Sequence, residues 1–458
     1  MPLADDVMKK LLSASEMDPD SSTGRLFAYI YETGREDLAR AAREAYSLFI
    51  NTNALDPLVF KSALYFEREI VGWARRLAGG SEEVVGTVTS GGTESIILAV
   101  KTARSHFEKR EGRSAVGEVV APATIHPSVK KASHYTGLRY IESRVERDTK
   151  KARVEDLKEN VSNKTALIVL SAPNYPYGTI DPVKDAAEYA ADKGIPVHVD
   201  ACLGGYILPF FERLGIDVPE FDFRIEGVTS ISMDAHKYGY APKGVSVLLF
   251  RDAGWKKESI FVDLAWPGYP FINTAVLSSR SIAPLAAAWA IQSLLGENGY
   301  LELASHVVEA RDAIYSGLSR LGFESLAPIE SPILSLTHQS GESEVLKFHA
   351  VMSERGWVIG LQPRVKNLAP LNIHLTIMPV HKRIVGEFLR DAEEALSSGV
   401  PEDLRALLSQ LERDPLAAAL KIGETKFDAI LIAKLLESLP EDLASEMAKE
   451  LAVEVFKP

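Results

Sequence analysis

The stretch Ser232-Met233-Asp234-Ala235-His236-Lys237-Tyr238-Gly239 decides the reading of this chain. Ser230–Met233 has the apolar, β-prone character of a short strand, and the residues after it form a turn that delivers Lys237 into an apolar segment. An amine in such a pocket is expected to lose proton affinity and to act as a nucleophile toward an aldehyde. A single lysine is more often a solvated surface charge, so the assignment depends on what surrounds it.

Working toward the N-terminus, His198-Val199-Asp200-Ala201 ends another apolar run. An acid there either caps the next turn or faces the ring nitrogen of a heteroaromatic ligand. Further upstream, Thr89-Ser90-Gly91-Gly92-Thr93-Glu94-Ser95 joins the β-like Val84–Thr89 to the helical Glu94–Phe107. Paired glycines before a helix let the backbone approach an anion, and the helix N-terminus adds N–H donors. A tight turn with a threonine cap explains the same residues. His126 follows the strand-like Glu118–Ala121; it either lies over an aromatic ligand or is a loop histidine bonded to backbone.

Around these segments, strand-like runs at Tyr140–Ser143, Leu167–Leu170, Val197–Val199 and Val245–Phe250 alternate with helical spacing at Ser128–His134 and Lys184–Asp192. That pitch predicts an α/β fold with a mostly parallel sheet covered on both faces, its ligand in the crevice at the carboxyl ends of the strands. Four regions are expected: a helical or irregular segment over 1–60, a large ligand-binding domain over 61–300, a small α+β domain over 301–400, and a helical tail over 401–458. The small domain is drawn from a helix at Leu301–Leu318, β-like Ile333–Leu336, a helix at Glu344–Glu354 and β-like Ile373–Met378.

The bulk properties narrow the function class. A formal net charge of −12 argues against a nucleic-acid binder and against general attraction to anionic membranes. A single cysteine, Cys202, excludes an intramolecular disulfide and any metal site built from several thiolates; no metal is expected. No run of about 18 apolar residues is visible, and Met1–Leu12 lacks the apolar core of a signal peptide. A soluble, cytoplasmic protein without a membrane anchor is therefore expected.

In this order, the GGTES, HVDA and DAHK elements together with His126 resemble the group II decarboxylase superfamily of pyridoxal 5′-phosphate enzymes, over about residues 20 to 395. The resemblance implies fold type I, the aspartate aminotransferase-like architecture. It implies that Lys237 holds the cofactor as a Schiff base, that Asp200 pairs with the pyridine nitrogen and that His126 stacks over the ring. Gly91, Gly92 and Thr93 would contact the phosphate, with His236 beside it. It also implies a homodimer whose active sites draw on both subunits.

Within the superfamily the chain is most similar to the sphingosine-1-phosphate lyases. The likeness is carried by Asn174-Tyr175-Pro176-Tyr177-Gly178-Thr179-Ile180-Asp181 and by Lys237-Tyr238-Gly239-Tyr240-Ala241-Pro242-Lys243-Gly244, with a second lysine six residues after the first. Gly296-Glu297-Asn298-Gly299-Tyr300 and Glu354-Arg355-Gly356-Trp357 add to it. The likeness implies retro-aldol cleavage of a phosphorylated long-chain amino alcohol to a fatty aldehyde and ethanolamine phosphate. Tyr31 and Lys243 would hold the substrate phosphate, and Tyr175, Lys237 and His236 are the candidate proton carriers. His374 stands where amino-acid decarboxylases of this group often place an arginine for the substrate carboxylate. That substitution weighs against the alternative, decarboxylation of tyrosine, aspartate or glutamate on the same cofactor site. One departure concerns the substrate: the lyase pattern Asn-x-Leu-His-Pro reads Asn53-Ala54-Leu55-Asp56-Pro57 here, so an acid replaces a possible phosphate donor at the substrate-binding position 56.

Overall fold

The computed structural model describes residues 5–112, 114–413, 427–438 and 440–455. Its main sheet has seven strands: β1 (Val85–Thr89), β2 (Glu118–Pro122), β3 (Arg139–Ser143), β4 (Thr165–Ser171), β5 (Val197–Asp200), β6 (Val228–Met233) and β7 (Ser246–Phe250). Their order across the sheet is β1-β7-β6-β5-β4-β2-β3. Strands β2 to β6 pair in parallel, and β7 runs antiparallel between β1 and β6. Every residue of β2, β4, β5 and β7 is buried, which is why these strands read as continuous apolar runs rather than as alternations.

Fifteen helices are labelled here among the described residues. Those preceding and covering the main sheet are α1 (Asp5–Ser15), α2 (Glu36–Leu48), α3 (Lys61–Leu77), α4 (Gly92–Glu111), α5 (Ser128–Thr136), α6 (Val154–Asn160), α7 (Val183–Ala191), α8 (Leu208–Arg213) and α9 (Ala253–Ser259). A hairpin not anticipated from sequence, β8 (Phe261–Asp263) with β9 (Phe271–Asn273), follows α9. Next comes α10 (Ala283–Arg320), broken at Gly296, whose φ of 51° and ψ of −168° leave the helical region. The helix expected at Leu301–Leu318 is thus the second half of a longer element, and position 300 lies inside it.

The second sheet is antiparallel throughout, in the order β10 (Phe323–Ser325), β11 (Ile333–His338), β13 (Asn372–Thr376), β12 (Gly360–Gln362). It is accompanied by α11 (Glu342–Glu354) and α12 (Val385–Ser397). One apolar core runs through both sheets, from Phe66 and Ile70 of α3 through Val199 and Ile231 to Leu336 and Leu375. The tail is helical where described, as α13 (Glu402–Arg413), α14 (Asp428–Ser438) and α15 (Glu441–Val455); the rest of the expected helical tail, at 414–426, 439 and 456–458, lies outside the described residues. Among the described residues no helix is long and apolar enough to cross a membrane.

Candidate active site

The ends of three parallel strands lie level. Ser171 of β4 pairs with Asp200 of β5, and Asp200 pairs with Ser232 of β6. The loops leaving these ends carry Tyr175, Cys202 and Lys237, while β1 ends at Thr89 beside Ser246 and feeds the glycine turn. The crevice at the carboxyl ends of the sheet thus receives the four motif segments from four separate strands.

Lys237 Nζ lies 3.1 Å from Asp234 Oδ2. Burial disfavours the ammonium, but Asp234, with Tyr31, Cys202 and Asp200 around it, outweighs burial and holds the Lys237 pKa above its ordinary value. This corrects the expectation of a lysine with lowered proton affinity: the apolar segment was legible, the buried counter-charge three residues earlier was not read as such. Burial likewise works to raise the Asp234 carboxyl, and Lys237 and His236 reverse it to a lowered value.

His236 is held at both ring nitrogens. Its Nδ1 accepts from the Val245 N–H at 3.3 Å, which places the ring hydrogen on Nε2, 3.5 Å from Asp234 Oδ2. Burial keeps its pKa below the ordinary value. Of the three expected proton carriers, His236 and Lys237 both face Asp234 within the lysine turn, and Tyr175 stands on the loop after β4. Two phenols fasten the same turn: Tyr238 Oη donates to the Ile377 carbonyl at 2.7 Å, and Tyr300 Oη to the Gly239 carbonyl at 3.0 Å.

The glycine turn is packed against this cluster. A Cβ on Gly92 would meet Cys202 Sγ at 2.7 Å and Asp234 Oδ2 at 2.9 Å, so only glycine lets α4 begin so close to the lysine turn. Glu94, which sequence reasoning passed over, clamps the turn: its Oε2 accepts from Ser90 N and Oγ at 2.6 Å each, and its Oε1 from Val276 N at 2.6 Å. The acid four residues after a loop serine was the available signal. The first turn of α4 leaves backbone N–H groups without helical acceptors, with the Thr93 hydroxyl beside them. That donor set, an amine on the facing turn and a carboxylate at the end of β5 fit a phosphate-bearing pyridine aldehyde. Thr124 Oγ1 past β2 and Thr376 Oγ1 at the end of β13 are buried without completed hydrogen bonds.

Beneath the crevice, Asp200 Oδ1 accepts from Cys202 N at 3.1 Å. His198 is wedged between two serines, Nδ1 at 2.8 Å from Ser230 Oγ and Nε2 at 3.2 Å from Ser232 Oγ, and burial lowers its pKa to about 4. Cys202 Sγ donates to Ser232 Oγ at 3.3 Å, and burial pushes its thiol well up, so it is an inert core residue.

Tyr31, Tyr175 and Lys243 converge on Lys237. The Tyr31 ring meets Tyr238 edge-on at 5.0 Å, and Lys243 Nζ stands over the Tyr31 ring at 5.0 Å. Burial, then the Lys237 charge, lowers the Lys243 ammonium. Burial raises the Tyr175 phenol, with Lys237 acting against it. Tyr29, two residues before Tyr31, is 75% exposed. Beside Lys243 a cavity of about 480 Å³ has Ile30, Leu38, Ala42 and Ile291 in its wall.

Three further residues expected at the substrate or cofactor are placed as follows. His374 is buried and its Nε2 donates to the Tyr175 carbonyl at 2.9 Å, so that donor is already used. Asp56 turns into its own loop, Oδ1 accepting from Leu58 N at 2.9 Å and Val59 N at 3.3 Å, on the wall of a different cavity of about 960 Å³. His126 is exposed at the end of β2, its Nδ1 accepting from Ser128 N at 3.2 Å.

Comparison with known proteins agrees with this architecture. Residues 30–323 match the pyridoxal-dependent decarboxylase conserved domain. The chain is 34% identical to the sphingosine-1-phosphate lyase of Arabidopsis thaliana over 82% of its own length and 69% of that protein's, and 34% identical to sphingosine-1-phosphate lyase 1 of Rattus norvegicus over 86% and 68%. The solved sphingosine-1-phosphate lyase Bpss2021 of Burkholderia pseudomallei superposes with a TM-score of 0.81 at 29% identity, covering 90% of this chain and 95% of that one. With a domain match spanning most of the sheet and relatives at this identity over four-fifths of its length, the chain belongs to the pyridoxal-dependent decarboxylase family.

Proposed function

We propose that this chain is a carbon–carbon lyase that cleaves a phosphorylated long-chain amino alcohol, such as sphingosine 1-phosphate, to a fatty aldehyde and ethanolamine phosphate. The observation that carries this reading is the Lys243–Tyr31 pair beside Lys237, set against a neutral His374 whose Nε2 donor is already used. Lys243 suits a phosphate head group, the apolar part of the cavity wall beside it (Ile30, Leu38, Ala42 and Ile291, next to Glu32, Arg35 and Arg43) suits a hydrocarbon chain, and no arginine stands at 374 to anchor a carboxylate.

Pyridoxal 5′-phosphate, the cofactor of this family, supplies when bound an electron sink for the pair released as the C2–C3 bond breaks. Lys237 is the amine that we assign to its carbonyl, Asp200 the acid that we assign to its ring nitrogen, and His126 the ring that we place over its face. Gly91, Gly92 and Thr93 at the start of α4 are its phosphate donors, with His236 beside them. Lys243 and Tyr31 orient the substrate phosphate, and desolvation makes the charge pairing stronger than in water. Tyr175 holds its proton at neutral pH, because burial raises the phenol. It therefore enters as a donor, and the Lys237 amine, once released, is the group able to take the proton from the C3 hydroxyl.

A homodimer with shared active sites completes the proposal. Its support is the apolar surface that a second subunit would cover: Phe261, Leu264, Trp266 and Ile272 on and around the β8–β9 hairpin are all about half exposed or more. The buried thiol of Cys202 fits the cytoplasm that we assign as its compartment.

The test is a product assay on the cofactor-loaded protein, offering sphingosine 1-phosphate beside a panel of L-amino acids. Aldehyde and ethanolamine phosphate, lost in Lys237→Ala, are expected. Carbon dioxide from an amino acid with no aldehyde would replace this reading by amino-acid decarboxylation.

A further inference from the structure

Tyr175 leaves the main sheet on the loop after β4, yet what meets it comes from the second sheet. His374 and Thr376 lie two residues apart on β13 and so share one face of that strand. β13 is hydrogen-bonded on both sides, to β11 and to β12, and is buried along its whole length, so it is a rigid support. From it, His374 Nε2 donates to the Tyr175 carbonyl at 2.9 Å, and the two rings lie 4.5 Å apart with planes inclined by 34°. A carbonyl only accepts, so Nε2 carries the hydrogen; burial holds the ring neutral, its pKa lowered to about 4. The Thr376 hydroxyl opposes the rise in the Tyr175 phenol's pKa.

We infer that His374 is a positioning residue for Tyr175: its Nε2–H and its ring fix the backbone and the phenol of a proton-carrying tyrosine against Lys237. The inference rests on the lyase reading above, because Tyr175 needs aiming only if it moves a proton in that reaction.

The experiment separates the donor from the ring. In the holoenzyme, His374→Phe keeps an aromatic face and loses the N–H; His374→Gln keeps a donor and loses the face. His374→Phe is expected to lower kcat by about 10²-fold, the scale of an ångström-sized misplacement, with KM and the cofactor absorbance band unchanged. His374→Gln is expected to recover most of kcat. A double-mutant cycle gives the second arm: in a Tyr175→Phe background, His374→Phe should cost no further kcat. Equal losses in the two His374 variants, or additive losses in the cycle, overturn the inference. A third readout is independent of turnover. The fluorine resonance of 3-fluorotyrosine placed at 175 should move in His374→Phe and return toward its original position in His374→Gln. If the wild type does not cleave the phosphorylated amino alcohol, the lyase reading fails, and the resonance alone decides whether His374 holds Tyr175; an unmoved resonance overturns the clamp.

Discussion

Lys237 Nζ and Asp234 Oδ2 face each other at 3.1 Å across a single turn, and the Asp234 side chain is only 2% exposed. The pair makes the cofactor lysine part of a buried ion pair until the amine is used. Its pH signature has two edges. The raised Lys237 pKa contributes stability that is present below the unfolded value near 10.4 and is lost as pH rises through the folded one. The lowered Asp234 pKa contributes stability that is present above about 3.9 and is lost as pH falls. Asp234→Asn in cofactor-free protein is therefore expected to lower unfolding free energy by about 3 kcal/mol across pH 5–9, read by chemical denaturation. A variant as stable as the parent over that window would show that the pair contributes nothing.

On the proposed reading, Lys243 offers a charge to the substrate and takes no part in the chemistry. Lys243→Met is expected to raise KM for a phosphorylated substrate by roughly ten- to a hundredfold, the scale of a hydrogen bond to a charged group. A smaller effect on kcat is expected, and the KM of the parent should climb with ionic strength as screening grows. Unchanged KM with lost kcat would move Lys243 from phosphate binding to the reacting centre.

Much of this arrangement was legible in the sequence because the strands that position it are buried on both faces. Thr165–Ser171 and Ser246–Phe250 announce themselves as apolar runs, and each site motif begins where such a run ends. β8, β9, β10 and β12 were not legible: each is three residues long and is set by its partner strand, not by its own composition. The same limit applies to the site. Asp200 and Lys237 follow from strand ends, but the partner of His374 is 199 residues away, so its role as a support for Tyr175 has no local trace. Asp56 shows the converse: the side chain that differed from the lyase pattern caps its own turn, a placement that the Asp-Pro dipeptide suggests only in hindsight.

Asp181 closes the Tyr175 loop from below, its two oxygens accepting from Ala152 N and Ser171 N at 2.8 Å each. Burial pushes its pKa up to about 6 despite those bonds. A folded-state value above the unfolded one means that the folded chain binds the proton more tightly, so stability falls as pH rises from about 4 to about 6 and is flat above. The expected slope from this group is about 1 kcal/mol per pH unit in that window. Comparing denaturation of the parent with Asp181→Asn isolates it. If the difference between the two does not vary between pH 4 and 6, the buried carboxyl is not the titrating group.

Tyr238 ties the lysine turn to the second sheet: it adjoins Lys237 in sequence, and its hydroxyl reaches the Ile377 carbonyl just past β13 at 2.7 Å. Burial raises its phenol well above the ordinary value, so the donor persists throughout the working pH range. Tyr238→Phe keeps the ring and its edge contact with Tyr31 but leaves a buried carbonyl unpaired, which costs about 1–3 kcal/mol. If the bond only stabilises the fold, melting temperature falls and kcat stays. If it also sets the height of Lys237 relative to Tyr175, kcat falls with it while KM for the phosphorylated substrate holds, because Lys243 and Tyr31 are untouched. We expect the second pattern, since Tyr238 and His374 tie the two proposed proton carriers to β13 and the residue that follows it; a fall in melting temperature alone would confine Tyr238 to the fold.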